Sequence, residues 1–475
     1  MSANDLISIL PELILTGTAL LVLVWDLFIS KEQRSVLLWV SLVDLIAAAI
    51  ANVVIGTPGT TFQGMVRADG IAQFLNFVLL ISCGISLALS DGYLSRQKLE
   101  KGEYYALVLT ATLGAMLMGK SGNLLTLFLG LEVLSIPLYI LASFWRENRN
   151  SQEAGLKYFL LGAFASAFFL YGIALIFGAT GSTSILSTGT TQRSMEWLLY
   201  GGVGLLLVGL SFKAAVVPFH AWAPDAYEGA PTSVTAFMSV IAKVGAFAAL
   251  IRVVESSWMS SVHNWEFVVS VLAALTMVLG NILAITQTSL KRLLAYSSIA
   301  HAGYLLVGIV ATNNLGTQGI LFYLLTYGFM NLGAFGVLMA LEKIGENPKL
   351  SDYAGLAKRH PWLAAAMAVF MISLAGIPPT AGFMAKLYVF GGAIEAGHYK
   401  LAIIGVLASV VSVYYYLRVV YFMYMRPAPD QEAPSYSTRL AFAAVVLAVI
   451  GVLELGIFPG PWLEWMQQML SVASR

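Results

Sequence analysis

Apolar residues run through this chain in long stretches separated by short polar joints. A helix that crosses a bilayer needs about 20 mostly apolar residues. Fourteen stretches approach or exceed that length: 6–29, 35–55, 70–90, 103–119, 122–143, 153–178, 195–218, 232–253, 264–285, 291–311, 316–342, 361–394, 401–425 and 438–458. Between the fourth and fifth, "GKSGN" at 119–123 has to act as a tight turn. The longest polar joints are 178–194 and 342–360, and the others leave no room for a separate soluble domain. The terminal "PWLEWMQQMLSVASR" reads as an amphipathic interfacial segment anchored by tryptophan. The pattern predicts an all-α polytopic membrane protein.

Composition agrees. Of 475 residues, 59% are hydrophobic and 11% charged, against roughly 25% charged in ordinary globular domains. A formal net charge of +1 offers nothing to nucleic acid or to an acidic partner. The single cysteine, Cys83, excludes an intrachain disulfide and a cysteine-ligated iron–sulfur cluster. No glycine-rich nucleotide loop follows a strand pattern. The N-terminus lacks a basic region and a small-residue cleavage site, so its first apolar run is expected to be a retained span. Fifteen lysines and arginines fall in joints after odd-numbered spans, Lys31, Arg96 and Lys98 among them. Six fall on the other side, Arg193 and Arg475 included. The positive-inside rule then places both termini on the outer face.

Four ionisable residues are counted in the hydrophobic centres: Glu132 in "LLTLFLGLEVLSIPLYIL", Lys213, Lys243 and Lys386. An ionised group at mid-membrane costs about 2.5–3.5 kcal/mol on insertion scales, so each is a candidate functional residue. The bland alternatives are snorkelling at helix ends, most plausible for Lys386, and a structural Glu–Lys pair. Two of the lysines lie beside prolines. Pro218 should deprive the carbonyl of Ala214 of its helical partner, and Pro378 and Pro379 those of Leu374 and Ala375. A continuous helix from Trp197 to Gly229 would also span about 50 Å, beyond the bilayer core. Interrupted helices with ionisable neighbours are typical of ion-translocating membrane proteins built from inverted repeats. The breaks fall in spans seven and twelve, five spans apart. This spacing predicts an N-terminal segment over 1–102, a five-helix unit over 103–253, an inverted second unit over 264–425, and a C-terminal helix and tail over 426–475.

An amine in a poorly solvated site can take up and release a proton, whereas arginine would stay charged. A carboxylate moving nearer to or farther from the amine changes the hold on that proton, and Glu132 is the expected carboxylate for Lys213. His220, after the first break, and His301, in "LLAYSSIAHAGYLLVGIV", are further candidate relay members, set against the reading of hydrogen-bonded core histidines. Asp225 and Glu228 in "WAPDAYEGAPTS" are read first as a helix-capping turn and second as a proton uptake site. Asp69 is expected to cap span three, and Glu153 to pair locally with Lys157.

Three stretches, "KAAVVPFHAWAPDAYEGAPTSVTAFMSVIAKVGAF", "LKRLLAYSSIAHAGY" and "SLAGIPPTAGFMAKLYVF", resemble the antiporter-like membrane subunits of respiratory complex I, the proton-translocating NADH–quinone oxidoreductase. The similarity extends over essentially the whole chain. It implies fourteen spans, inverted five-helix repeats with broken helices seven and twelve, and one proton pathway per subunit. By the same resemblance Glu132 and Lys213 form a coupled pair, Lys243 is the central relay, and Lys386 opens towards the outer side. Longer family members carry extra helices after span fourteen; this chain stops there, which favours the shorter members. FMN, iron–sulfur clusters and quinone are then expected in partner subunits and none in this chain. The partners implied are other complex I membrane subunits, antiporter-like neighbours among them, and the lipid bilayer. Two alternatives remain open on the residues alone: a subunit of a multi-subunit cation/proton antiporter, and a passive membrane scaffold with structural charge pairs.

Overall fold

A computed structural model describes residues 3–30, 33–186, 195–343, 349–428 and 438–473; Lys31, Arg193 and Arg475 lie outside them. Its helices, in chain order, are α1 (Ala3–Ser8), α2 (Leu10–Trp25), α3 (Ser35–Ile55), α4 (Gly70–Ser90), α5 (Tyr93–Arg96), α6 (Gly102–Gly119), α7 (Leu124–Ala142), α8 (Arg149–Thr180), α9 (Glu196–Ala214) and α10 (Trp222–Gly229). There follow α11 (Thr232–Val254), α12 (Trp265–Ile285), α13 (Leu290–Ala311), α14 (Asn314–Leu341), α15 (Leu356–Arg359), α16 (Pro361–Ala375), α17 (Ala381–Glu395), α18 (Tyr399–Met425), α19 (Arg439–Ile457) and α20 (Gly460–Ala473). Among the described residues, eleven helices are long and apolar enough to cross a membrane on their own. The three other stretches marked by the apolar pattern fall on α2, α6 and the α16–α17 pair.

Burial sorts these helices into an inner and an outer set. α11 is wholly enclosed, and α13, α14 and most of α4 nearly so. By contrast α3, α8, α12 and α18 turn apolar side chains such as Val43, Phe164, Phe267 and Val410 outward. Apolar faces of that extent suit lipid or a neighbouring membrane subunit, not water.

Two helix crossings show how closely the bundle packs. α6 packs on α7 and α11, while α12 packs on α13 and α18. In both, small residues bring the backbones close: a Cβ at Gly114 would lie 2.2 Å from the Leu134 nitrogen, and one at Gly303 2.7 Å from that of Met277. Membrane helices associate through close packing of this kind, since lipid offers no hydrophobic drive between them.

The two breaks share one construction: a left-handed residue closes each helix, and its amide and the next fold back onto carbonyls three and five residues earlier. α9 ends at Ala214, four residues before Pro218. Ala215 turns left-handed at φ +58°, and the amides of Ala215 and Val216 fold back onto the carbonyls of Phe212 and Ser211 at 3.0 and 2.8 Å. The indole nitrogen of Trp222 also donates to Phe212 O at 2.8 Å, and Val217 N donates to Thr276 Oγ1 at 3.0 Å. α16 ends at Ala375 with Gly376 at φ +83°, a conformation glycine adopts without steric cost. Here the freed carbonyls are those expected, Leu374 and Ala375, and a buried lysine serves both.

Three local features depart from expectation. The joint after α3 contains a two-stranded antiparallel hairpin, β1 (Gly59–Thr61) with β2 (Val66–Ala68), in the register Gly59↔Ala68. The tryptophans of α20 turn inward: Trp465 meets the rings of Phe74 and Phe77 at 5.0 and 5.2 Å, and Trp462 Nε1 donates to Glu454 at 2.7 Å. These contacts pack the rings of α20 against α4 and α19. Finally, the count of four central charges is incomplete, because Asp44 lies in the middle of α3 and is only 5% exposed.

Candidate functional site

Each central lysine reaches a neutral oxygen. Lys213, in the last turn of α9, donates to Ser135 Oγ at 2.9 Å and to the Tyr158 hydroxyl at 3.1 Å. The rings of Tyr139 and Tyr158 face its ammonium at 5.7 and 5.4 Å. Lys243, midway along α11, donates to Ser298 O at 2.7 Å and lies 5.5 Å from the Tyr327 ring. Lys386, in α17, donates to Leu374 O, Ala375 O and Ser409 Oγ at 3.1, 2.9 and 2.8 Å, with the Tyr304 ring 5.0 Å away. The three are 3–5% exposed, so Lys386 does not snorkel. None has a carboxylate within 4 Å among the described residues.

His301 lies between the second and third lysines. Its Nδ1 pairs with the Tyr323 hydroxyl and its Nε2 with that of Tyr416 at 3.1 Å. The Tyr327 and Tyr304 rings flank it at 5.3 and 5.7 Å between centroids. Side chains in contact therefore mark a trail past all three lysines. From Lys213 the trail runs through Tyr158, stacked on Trp222 at 4.2 Å, to Tyr227, whose ring is 6.3 Å from that indole. The Tyr227 hydroxyl reaches Ser298 Oγ at 3.4 Å, and the Ser298 carbonyl holds Lys243. Tyr327, His301 and Tyr304 then lead to Lys386. Ring contacts do not carry protons, but hydroxyl, imidazole and amine groups at these spacings, joined by water, can.

Glu132 stands at one end. It shares α7 with Ser135, one turn before the hydroxyl that Lys213 grips, and its charge reaches that lysine without direct contact. Its Oε1 is buried with no hydrogen-bond partner. His220 is not brought to the trail: it lies half-buried in the α9–α10 break with Nδ1 unpartnered. Asp225 and Glu228 are not caps. Asp225 pairs with Lys157 at 2.8 Å and Arg292 at 3.0 Å, and Glu228 pairs with Arg292 at 3.0 Å. Lys157 also holds Glu153 at 2.7 Å.

Sequence reading missed a second polar system at the opposite end of the central helices. Arg252, fully buried, clamps Asp69 through two nitrogens at 2.6 and 2.7 Å and donates Nε to Gly119 O at 2.8 Å. Asp69 still caps α4 through Ala72 N at 2.9 Å, and Arg67 adds a contact at 2.7 Å. Burial pushes the Asp69 carboxyl up, but Arg252 and Arg67 outweigh it and hold it below the usual carboxylate range. Beside it Lys120 and Glu12 form a buried pair at 2.9 Å, with Asn76 donating to Glu12 at 3.1 Å. Both ion pairs join residues far apart in the chain, and no local spacing announces them. The tyrosines of the trail did carry a signal: Tyr158, Tyr304, Tyr323 and Tyr327 fall inside spans, away from the interfacial belts that tyrosine favours.

A broken-helix membrane bundle with buried, unpaired lysines defines an ion-translocating class of protein. The family profile described as "NADH:quinone oxidoreductase/Mrp antiporter, TM" matches residues 121–412. NADH-quinone oxidoreductase subunit N of Trichlorobacter lovleyi is 45% identical over 470 residues, covering 98% of this chain and 96% of that one. The subunit N of Chloroflexus aggregans is 44% identical over 478 residues, covering 98% of each. Among solved structures, a chain of respiratory complex I from Thermus thermophilus with bound aureothin superposes with a TM-score of 0.83 at 38% identity, covering 96% of this chain and 98% of that chain. A chain of the Mrp complex from Dietzia has a TM-score of 0.88 at 23% identity, over 99% and 97% of the two chains, a likeness of fold alone. The chain belongs to the NADH-quinone oxidoreductase subunit N family.

Proposed function

We propose that this chain is the proton-translocating subunit N of a complex I-type NADH–quinone oxidoreductase, moving protons along Lys213, Lys243 and Lys386. The observation that carries the reading is what the lysines bind. Structural ion pairs in this chain look like Arg252–Asp69 and Lys120–Glu12, in which a buried cation is matched by a carboxylate at 2.6–2.9 Å. Removing a charge from water is costly unless it is paired. The three central lysines forgo that pairing and bond to hydroxyls and carbonyls, which accept from either an ammonium or a neutral amine. A passive scaffold has no use for that arrangement. The antiporter alternative rests on a likeness at 23% identity, against 42–45% for the subunit N relatives.

In this reading Glu132 changes the hold of Lys213 on its proton, Lys243 passes it on, and His301 with its tyrosines bridges to Lys386. His220 takes no step. The chain is an integral, multi-pass protein of the bacterial plasma membrane with fourteen spans, both termini outward, and inverted units over 103–253 and 264–425. FMN, iron–sulfur clusters and quinone belong to partner subunits. Moving one charge against 100 mV requires about 2.3 kcal/mol, which the redox reaction in the partners supplies.

Glu132→Gln tests the assignment, because it keeps the shape and removes the charge. The complex should assemble in normal amount, with NADH-driven proton translocation into vesicles lowered several-fold. Loss of assembly with full translocation by the remainder would place Glu132 among the structural groups instead.

A further inference from the structure

Three helices around Lys243 carry polar residues at spacings of four, seven or eleven, which return a helix to nearly the same face. On α11 they are Thr232, Ser239 and Lys243; on α13, Lys291 and Ser298; along α14 and just past its end, Tyr327, Asn331 and Glu342. These faces meet. Asn331 Nδ2 donates to Ser239 Oγ at 2.6 Å, Lys243 reaches Ser298 O at 2.7 Å, and Tyr327 stands 5.5 Å from Lys243. At the end of the seam Thr232 N donates to the Tyr93 hydroxyl at 3.0 Å, which in turn approaches Glu342 Oε1 at 3.4 Å. Lys291 bridges the same end by donating to Ala230 O at 2.8 Å, and it lies within electrostatic reach of Glu342.

Along this seam four buried atoms have no partner in good hydrogen-bond geometry: Glu342 Oε2 and Thr232 Oγ1, which lie beside one another, Tyr327 OH, which lies near Ser298, and Asn331 Oδ1. Native interiors leave few such groups, and a run of them at polar sites marks positions for buried water. Glu342 is 3% and Lys291 2% exposed, yet they terminate the seam at the face that the orientation above makes the inner one. Asp225 and Glu228, two further acids on that face, are engaged by Lys157 and Arg292.

We propose that Glu342, with Lys291 beside it, is the loading site of a water-filled seam between α11, α13 and α14 that delivers protons from the inner face to Lys243. The proposal rests on the relay reading above. A carboxylate there takes a proton from water at the inner face, gives it up to the seam water, and so returns to its starting state. Asn331, Ser239 and Tyr327 hold the water in line, and Lys243 is the acceptor.

The test compares Glu342→Gln, Glu342→Asp and Lys243→Met in the assembled complex in vesicles, each measured in H2O and D2O. Glu342→Gln should assemble normally, slow NADH-driven proton translocation by about tenfold, since unassisted water must replace a positioned proton carrier, and raise the solvent isotope effect. Glu342→Asp should restore most of the rate. The loading site is wrong if Glu342→Gln translocates at the wild-type rate with an unchanged isotope effect while Lys243→Met is inactive. It is also wrong if the Gln and Asp variants both lose activity only in step with lost assembly, which marks a structural carboxylate. If Lys243→Met translocates normally as well, it is the relay reading that fails.

Discussion

Replacing Lys243 with methionine should lower proton translocation by on the order of a hundredfold or more, the loss expected when a positioned acid–base group is removed, with the complex fully assembled. Methionine fills nearly the volume of the lysine stem, and such swaps in a packed interior cost little. The Ser298 carbonyl loses its donor, a modest loss at a site with polar neighbours. What disappears is the one group that joins the two halves of the trail: Tyr227 and Ser298 on one side, Tyr327 and His301 on the other. Lys243→Arg is the sharper comparison. It restores a positive charge, but a guanidinium does not release its proton at physiological pH. If Lys243 acts by exchanging a proton, the arginine variant should be as inactive as methionine; if it acts as a fixed charge, arginine should recover function. Quinone reduction with and without an ionophore, alongside vesicle acidification, separates the cases.

The second large effect concerns stability. Arg252→Met should lower the stability of the chain by about 3–5 kcal/mol, the loss seen when one partner of a buried ion pair is removed and the other is stranded. Asp69 would keep Arg67 at 2.7 Å but lose both contacts from Arg252, and Gly119 O would lose its donor. Changing Asp69 to leucine in the same variant should recover part of the loss, because a matched apolar pair avoids the stranded charge. Thermal unfolding of the purified complex measures this. Translocation per assembled complex should be unchanged, since no trail contact involves Arg252. Arg252 is a buried cation matched by a carboxylate, whereas Lys243 has no carboxylate within 4 Å among the described residues and donates to a carbonyl.

Much of this architecture is legible in the sequence because a membrane simplifies the physics. Apolar length fixes where helices run, so α3, α4, α11 and α13 begin and end within a residue or two of the apolar stretches. The α16–α17 break and its two freed carbonyls follow from proline geometry, although nothing local says that Lys386 would serve them. At the α9 break the limit is the tertiary bonds from Trp222 and Thr276 that hold it, which nothing local announces. Residue type and depth single out Lys213, Lys243, Lys386 and Glu132. The same criteria should have caught Asp44, whose carboxylate accepts from Thr18 at 2.7 Å. The Arg252–Asp69 clamp joins residues 183 apart in the chain, and the order of tyrosines along the trail depends on packing between helices. No one-dimensional pattern contains either.

The central claim is that protons cross this chain along one connected path, and the path has gaps that side chains alone do not close. One lies between Tyr158 and Tyr227 around Trp222, and another around His301 between Lys243 and Lys386. A high-resolution experimental map of the assembled complex, with ordered water visible, measures this directly. The account predicts waters within hydrogen-bond reach of one another linking Lys213 to Lys243 and Lys243 to Lys386. Dry, apolar packing across either gap in every state of turnover would contradict it.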